Sequence, residues 1–324
     1  MAGTGLDRQE GPKGLVSRWG PLSLLYEGTV EWREGPEPRS CCVDAPAWLA
    51  APPSSWQNEE LSPSSAALWP EGKDLVIVVH GIGVEGVLWK LYERVIAGLQ
   101  REGTACALLF IPGHGPRAKG HALAEMARLS VGEALAMAHG GVSEIRSLAR
   151  WGRKRYRSVR LLGVSLGGML STIALALEPE IEGGLLAVTG GDLSRIVRHG
   201  VTRLFLAAGG GAARAAARCG GPAFAAYEKQ VRLEGWRHVE PPSPACLVDP
   251  LTFGPLVGRK RARMVLTRWD PVVPYGCGVA LWRALGRPPL DRVPGAHGSV
   301  LLFHRDLIVR RLTRWPAKLK EEDS

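Results

Sequence analysis

Unbroken apolar runs alternate along most of the chain with stretches whose apolar residues recur every three or four positions. DLVIVVHGIG (74–83) is a continuous apolar run ending in glycines, the pattern of a strand buried on both faces of a parallel sheet. In EGVLWKLYERVIAGLQREG (85–103), Val87, Leu88, Leu91, Val95, Ile96 and Leu99 recur at helical spacing, and Gly103 marks the stop. TACALLFIPGHG (104–115) predicts the next strand, and residues 122–152 an Ala- and Leu-rich helix interrupted near Gly140–Gly141. SVRLLGVSLGG (158–168) is a strand, followed by a helix in GGMLSTIALALEPE that Pro179 ends. IEGGLLAVTGGDL (181–193) and RARMVLTRWDPVVP (261–274) predict further strands, DRVPGAHGS (291–299) a short strand and a loop, and residues 300–314 the last helix. Strand and helix in repeated alternation mean an α/β fold around a mostly parallel sheet, with right-handed crossovers placing helices on both faces.

The flanks and one long insertion depart from this rhythm. PLSLLYEGTVEWRE (21–34) alternates as a strand or hairpin arm would, and the Pro-, Ser- and Trp-rich 45–70 reads as a long connection that packs through its tryptophans. The expected organisation is an N-terminal region, 1–71, a core made of 72–193 and 261–315, an insertion at 194–260, and a short tail, 316–324. The insertion is too long for a simple crossover. Its first part mixes Arg with Val, Leu, Phe and Ala and holds Gly209–Gly211, which predicts a helical cap with a hinge at the glycines. That composition also permits weak peripheral association with an anionic membrane. The favoured reading is a cap helix packed on the core with its arginines wet, because glycine breaks the amphipathic pattern. No internal repeat is present.

Composition narrows the picture only a little. The 324 residues, 45% hydrophobic and 22% charged, suit one large α/β domain or two small ones. The formal net charge of +10 favours anionic partners in general. The basic residues are scattered, and no nucleic-acid signature accompanies them, so nucleic acid is not an expected partner. Cys41, Cys42, Cys106, Cys219, Cys246 and Cys277 form no C-x-x-C pair and no zinc spacing. With no apolar leader in MAGTGLDRQEGPKG, the expectation is a cytoplasmic protein with reduced cysteines.

The chemistry is expected just past the apolar runs, because active groups in such sheets sit at the carboxyl ends of strands. Gly163-Val164-Ser165-Leu166-Gly167 is G-x-S-x-G between a predicted strand and a predicted helix. A nucleophilic serine must stand clear of its own backbone, and the glycines leave room for the sharp turn that presents it. The N–H of Leu166 opens the helix and is free to donate to an oxyanion. The serine needs a base and an orienting acid, in the chain order serine, acid, histidine. His297 in PGAHGSV is the expected base, with His304 as competitor. Asp270, at the end of RMVLTRWD, is the expected acid; Asp192 in VTGGDL is its rival, and Asp249 before Pro250 looks like a turn residue. The loop HGIGVEG (80–86) should supply the second oxyanion donor, from Ile82 or Gly83. His80, Gly81 and Gly83 are expected to shape the substrate site, with Arg117 a candidate to hold a substrate carboxylate or phosphate unless it is structural. His80, His114 and His121 lack a carboxylate or cysteine at ligand spacing, so no metal site is expected.

HGIG (80–83), GVSLGG (163–168), RWDPVVP (268–274) and GAHGS (295–299) together resemble the α/β-hydrolase superfamily over residues 72–315. Gly115 and Arg117 in PGHGPRAKG are similar to the G-x-R element of the branch named for abhydrolase domain-containing protein 18 and its bacterial relatives. The resemblance implies a cofactor-free acyl-enzyme mechanism with Ser165, Asp270 and His297 as triad and the N–H groups of Ile82 and Leu166 as oxyanion hole. The implied partner is a small-molecule or lipid acyl ester. Three readings stay open: a serine hydrolase of carboxylic esters, an acyltransferase or thioesterase of the same fold, and a non-catalytic binding protein that keeps the fold.

Overall fold

The computed structural model describes residues 25–38, 43–52, 55–56, 59–60, 62–84, 86–258 and 261–316. Its strands are β1 (Arg33–Glu34), β2 (Ala47–Ala51), β3 (Ser55–Trp56), β4 (Glu59–Glu60), β5 (Ser64–Trp69), β6 (Asp74–Val79), β7 (Thr104–Leu109), β8 (Val159–Val164), β9 (Gly183–Ala187), β10 (Ala262–Thr267) and β11 (Leu290–Val293). Among the described residues nine of them form one sheet in the order β1-β2-β5-β7-β6-β8-β9-β10-β11, and β3 and β4 pair separately. From β7 to β11 every neighbouring pair is parallel, whereas β1, β2 and β5 run antiparallel to their neighbours.

The two-residue period of the central strands builds a core on each face of the sheet. In β6, Leu75, Ile77 and Val79 point into one cluster with Leu161, Ile145 and Ile173, while Val76 and Val78 point into the other with Val95, Leu99 and Ile308. The helix Val87–Arg101 packs against Arg305–Thr313, whose Val309 sits so close that a Cβ on Gly98 would lie 2.8 Å from it. Leu166–Leu177 packs against both Val131–Arg153 and Pro250–Val257. Register aligns the strand ends that carry the chemistry: Val79 faces both Leu109 and Gly163, and Val164 faces Ala187.

Several expectations are corrected. The stretch 45–70 holds strands β2 and β5, not only a connection, because AWLAA and SSAALW pair with each other and SSAALW also with β7. Its tryptophans do pack: Trp48 stacks on Phe110 and Trp69 on Trp89. Of 21–34, residues 21–24 lie outside the described residues, and only Arg33–Glu34 is strand. The buried Tyr26 instead docks on the helix Val131–Arg153, its N–H donating to His139 Nδ1 at 3.0 Å and its hydroxyl to the Leu247 carbonyl at 2.9 Å. That helix runs unbroken through Gly140–Gly141. A side chain at Gly141 would meet Leu170 at 3.0 Å, so the glycine serves close helix packing. The break falls earlier, where Ser130 and Glu133 form a reciprocal cap. The last helix is two, Ser299–Phe303 and Arg305–Thr313.

The insertion is helical, with Arg203–Ala207, Gly211–Arg218 and Gly221–Glu234 among its helices, and Gly209 turns at φ 77° where a hinge was expected. In Gly211–Arg218, Ala213, Ala215 and Ala216 are buried and Arg214 and Arg218 are exposed, the favoured arrangement for this helix. Cys219 and Cys246 are joined in a disulfide, with Cα atoms 5.6 Å apart, so the expectation of wholly reduced cysteines fails for this pair. Spacing alone could not join them, because the 27-residue separation is closed by the packing of the Gly211–Arg218 helix on the Pro244–Leu247 turn. No helix among the described residues is long and apolar enough to cross a membrane.

Candidate active site

Ser165 stands at the end of β8 with φ 54° and ψ −119°, a conformation that side chains rarely adopt. The surroundings hold it there. Its N–H donates to the Ala187 carbonyl at 3.0 Å, and its carbonyl accepts from Thr189 Oγ1 at 2.8 Å and from the Gly168 N–H at 2.9 Å. The glycines are required by contact. A Cβ on Gly163 would lie 2.8 Å from the Gly167 carbonyl oxygen, and one on Gly167 would strike the backbone carbonyls of Val79 and His80. Gly168 lets the helix Leu166–Leu177 approach Thr189, whose Cβ would be 2.6 Å from an added side chain.

His297 follows β11 in a loop that brings its Nε2 2.8 Å from Ser165 Oγ. Its Nδ1 lies 2.7 Å from Asp270 Oδ2. The other oxygen, Oδ1, accepts from the N–H groups of Val272 and Val273, both at 2.8 Å, so the carboxylate cannot turn away from the ring. Because Asp270 is an acceptor toward Nδ1–H, Nε2 of a neutral ring carries the lone pair that faces the serine hydroxyl. Ser165, His297 and Asp270, 132 and 27 residues apart in successive steps, thus form one hydrogen-bonded chain.

The competitors lie elsewhere. His304 sits between the last two helices with Nε2 3.0 Å from the Pro294 carbonyl. Asp192 caps a short helix and accepts from Ser194 Oγ at 2.7 Å and the Arg195 N–H at 3.2 Å. Asp249, read as a turn residue, is fully buried and caps Pro250–Val257. Its carboxylate accepts from the N–H groups of Asp192, Leu193 and Leu251. Burial outweighs these donors, and with Asp192 nearby pushes the Asp249 carboxyl up to about 6. A folded-state value above the unfolded one means that the native protein holds the extra proton between the two values. Stability from this group is therefore present in full below about pH 4 and lost as pH rises through about 6, by up to about 3 kcal/mol. Urea unfolding of the wild type and Asp249→Asn at pH 4.5 and 7.5 checks this, and the difference between the two proteins should shift in favour of the wild type at the lower pH.

The loop after β6 lies against the serine. A Cβ on Gly81 would be 3.0 Å from Ser165 Cβ, and Gly83 turns the chain at φ 77°. The Gly81 N–H donates to Tyr92 Oη at 3.0 Å. His80 accepts the Ile111 N–H at Nε2, 3.2 Å, and therefore donates through Nδ1–H to the Gly81 carbonyl, 2.6 Å away. Among the described residues, neither the Ile82 N–H nor the Leu166 N–H donates to another protein group, and both residues border the space in front of Ser165.

Two expected substrate contacts are corrected. His80 is completely buried, and burial lowers its pKa to about 3, so it is a neutral post under the loop that no substrate reaches. Gly81 and Gly83 shape that loop, but it is Ile82 that lines the cavity. Arg117 is buried as well. Its guanidinium donates to both oxygens of Glu144, at 2.7 and 3.0 Å, to the Phe110 carbonyl at 2.7 Å, and to the carbonyl and hydroxyl of Ser62 at 2.7 and 3.2 Å. All its donor directions are used, so it binds the protein to itself and not a ligand. His114 packs its ring 5.6 Å from His80, and among the described residues no three His, Cys, Asp or Glu side chains are grouped to hold a metal.

Sequence reasoning missed a cavity of about 170 Å³ that opens beside Ser165. Leu135 and Ala138, Met169 and Leu170, and Phe205 and Ala216 reach it from three different parts of the chain. Of the side chains that line it among the described residues, only Ser165 and Thr202 are polar, and the Thr202 hydroxyl already donates to the backbone. No charged group faces it. Met169 and Leu170 lie in the helix expected over GGMLSTIALALEPE, but nothing in that apolar run distinguishes a cavity wall from ordinary core.

No protein-family model matches the chain. Two uncharacterized proteins of Mycobacterium tuberculosis, from two strains, are each 25% identical over 260 residues, covering 76% of this chain and 54% of theirs. The chain therefore spans about half the length of the curated relatives it matches. Among solved structures it is similar to an esterase of Pyrococcus furiosus, with TM-score 0.53 and 14% identity, covering 95% of this chain and 96% of that one. A cold-adapted esterase from an Arctic intertidal metagenomic library aligns with TM-score 0.52 and 17% identity, covering 89% and 100%. Acylaminoacyl peptidase of Pyrococcus horikoshii aligns with TM-score 0.53 and 15% identity, covering 86% of this chain and 48% of its own. With the sheet order above, these likenesses define the class: the chain has the α/β-hydrolase fold.

Proposed function

We propose that the protein is a serine hydrolase that cleaves a carboxylic ester with an apolar chain. The observation that carries this reading is the chain of hydrogen bonds Ser165–His297–Asp270 at the mouth of an uncharged cavity. His297 Nε2 takes the proton from Ser165 Oγ as the oxygen attacks the ester carbonyl carbon. The resulting oxyanion accepts from the N–H groups of Ile82 and Leu166, which are otherwise unused within the described protein. The proton on Nε2 then passes to the leaving alkoxide as the ester C–O bond breaks, and an acyl group stays on Ser165. A water deprotonated by the same nitrogen releases the acid and restores the serine. Asp270 holds the ring and stabilises its cation throughout. The 194–260 insertion acts as a cap whose helices close the chain-binding side of the cavity. The finer placement near abhydrolase domain-containing protein 18 rests on Gly115 and Arg117, and the burial of Arg117 gives that element a structural meaning here.

Covalent labelling by a fluorophosphonate tests the reading. The wild type should label at Ser165 and Ser165→Ala should not. A panel of p-nitrophenyl esters should then favour chains longer than acetyl, since each buried methylene adds about 0.8 kcal/mol of binding. A folded wild type that takes no label defeats the proposal.

A further inference from the structure

The segments that wall the cavity also carry large exposed apolar side chains. Met126 faces the cavity from the helix Ala122–Arg128, and Leu123 of the same helix is 49% exposed. Thr202 and Phe205 face inward, while their neighbours Val201 and Leu204 are 54% and 62% exposed. Val272 and Val273 face inward, and Trp269, just before Asp270, is 65% exposed. These segments adjoin one another. Ala122–Arg128 packs on Arg203–Ala207, Val201 N–H donates to the Pro271 carbonyl at 3.4 Å, and Trp269 N–H donates to the Gly295 carbonyl at 3.3 Å, two residues from His297. Four large apolar tips in solvent have a cost that a soluble surface ordinarily avoids, and here they all lie on the segments that wall an apolar cavity.

The exposed charges on these stretches are positive. Lys119, Arg128, Arg198, Arg203 and Arg268 are exposed, and in the stretches 119–128, 198–204 and 268–269 the acidic residue is Glu125, which is half-buried. We propose that this rim is a docking surface for an anionic lipid bilayer, seating Leu123, Val201, Leu204 and Trp269 among the headgroups with the arginines on lipid phosphates. A second copy of the chain meeting the same face would bring the five cations against their symmetry mates, which repels. A bilayer takes apolar tips and cations together, and it places an acyl chain at the cavity mouth. The biological purpose rests on the reading of Ser165 as the reacting group, but the docking itself does not.

Vesicle flotation of the full chain carrying Ser165→Ala separates the two questions. The protein should float with vesicles of phosphatidylcholine plus phosphatidylglycerol about tenfold more than with phosphatidylcholine alone, and added salt should reduce the difference. Arg198→Glu with Arg203→Glu should abolish the preference for anionic vesicles. Leu123→Ser with Leu204→Ser should weaken binding about tenfold, while in the Ser165 background hydrolysis of a water-soluble short-chain ester is unchanged. Equal weak flotation with both vesicles overturns the proposal, as does binding that survives both pairs of substitutions. A dimer in light scattering that the leucine pair converts to monomer would assign the surface to a second copy instead. Normal flotation of a protein inert to every ester would overturn the hydrolase reading and leave the docking surface standing.

Discussion

Ser165→Ala is expected to lower ester turnover by about 10⁶-fold while leaving the unfolding midpoint nearly unchanged. Asp270→Asn should lower it by about 10⁴-fold, because an amide can present its NH₂ to Nδ1 and hold the ring in the wrong tautomer. The two numbers differ for a physical reason. On the proposed mechanism no acyl-enzyme forms without Ser165 Oγ, whereas without the carboxylate Ser165 and the Ile82 and Leu166 N–H groups remain in place. Steady-state kinetics on a soluble p-nitrophenyl ester, with thermal unfolding followed in parallel, reads both effects. If Ser165→Ala kept more than about a hundredth of the activity, hydrolysis would be proceeding through some other group.

Arg117→Ala is expected to destabilise the fold by about 3–5 kcal/mol, the cost of leaving a buried charge without its partner. Glu144 has no exposed side-chain surface, and it also accepts from Ser64 Oγ at 2.6 Å, a neutral donor. The pair joins the loop after β7 to the middle of the Val131–Arg153 helix, and through Ser62 to the entry of β5. Replacing Arg117 and Glu144 together with Met should recover much of the loss, because an apolar pair of similar volume needs no counter-ion. Urea unfolding of the single and double variants measures both. The KM of folded Arg117→Ala toward a short ester should match the wild type. An arginine that held a substrate carboxylate or phosphate would change KM and leave stability almost untouched.

Much of the fold could be read along the chain. The strands β6 to β10 each coincide with a mostly apolar run, broken only by Arg160 in β8 and Arg263 in β10, and such a run says buried on both faces. Alternation with helical spacing then leaves few topologies, so the sheet centre followed. The small strands β2 and β5 escaped because AWLAA and SSAALW sit among prolines and serines, and their strand character comes from pairing with each other and with β1 and β7 on either side. The glycines of the long helix misled for a related reason: Gly140 and Gly141 weaken an isolated helix, but here Leu170 packs where a side chain on Gly141 would be.

At the site the same division holds. The strand–turn–helix around Ser165, the two flanking glycines and the free N–H of Leu166 are local, since they concern a few successive residues whose backbone geometry depends on their own side chains. Those features were determined by the sequence itself. Which acid meets His297, Asp270 or Asp192, depended on two strand ends and a loop brought together across the sheet. So did the burial of Arg117 and His80, the Cys219–Cys246 pairing and the cavity walled from three parts of the chain. Only the tertiary structure decided these, because burial and proximity belong to pairs of residues distant in sequence, and no side chain carries its eventual neighbour in its own spacing.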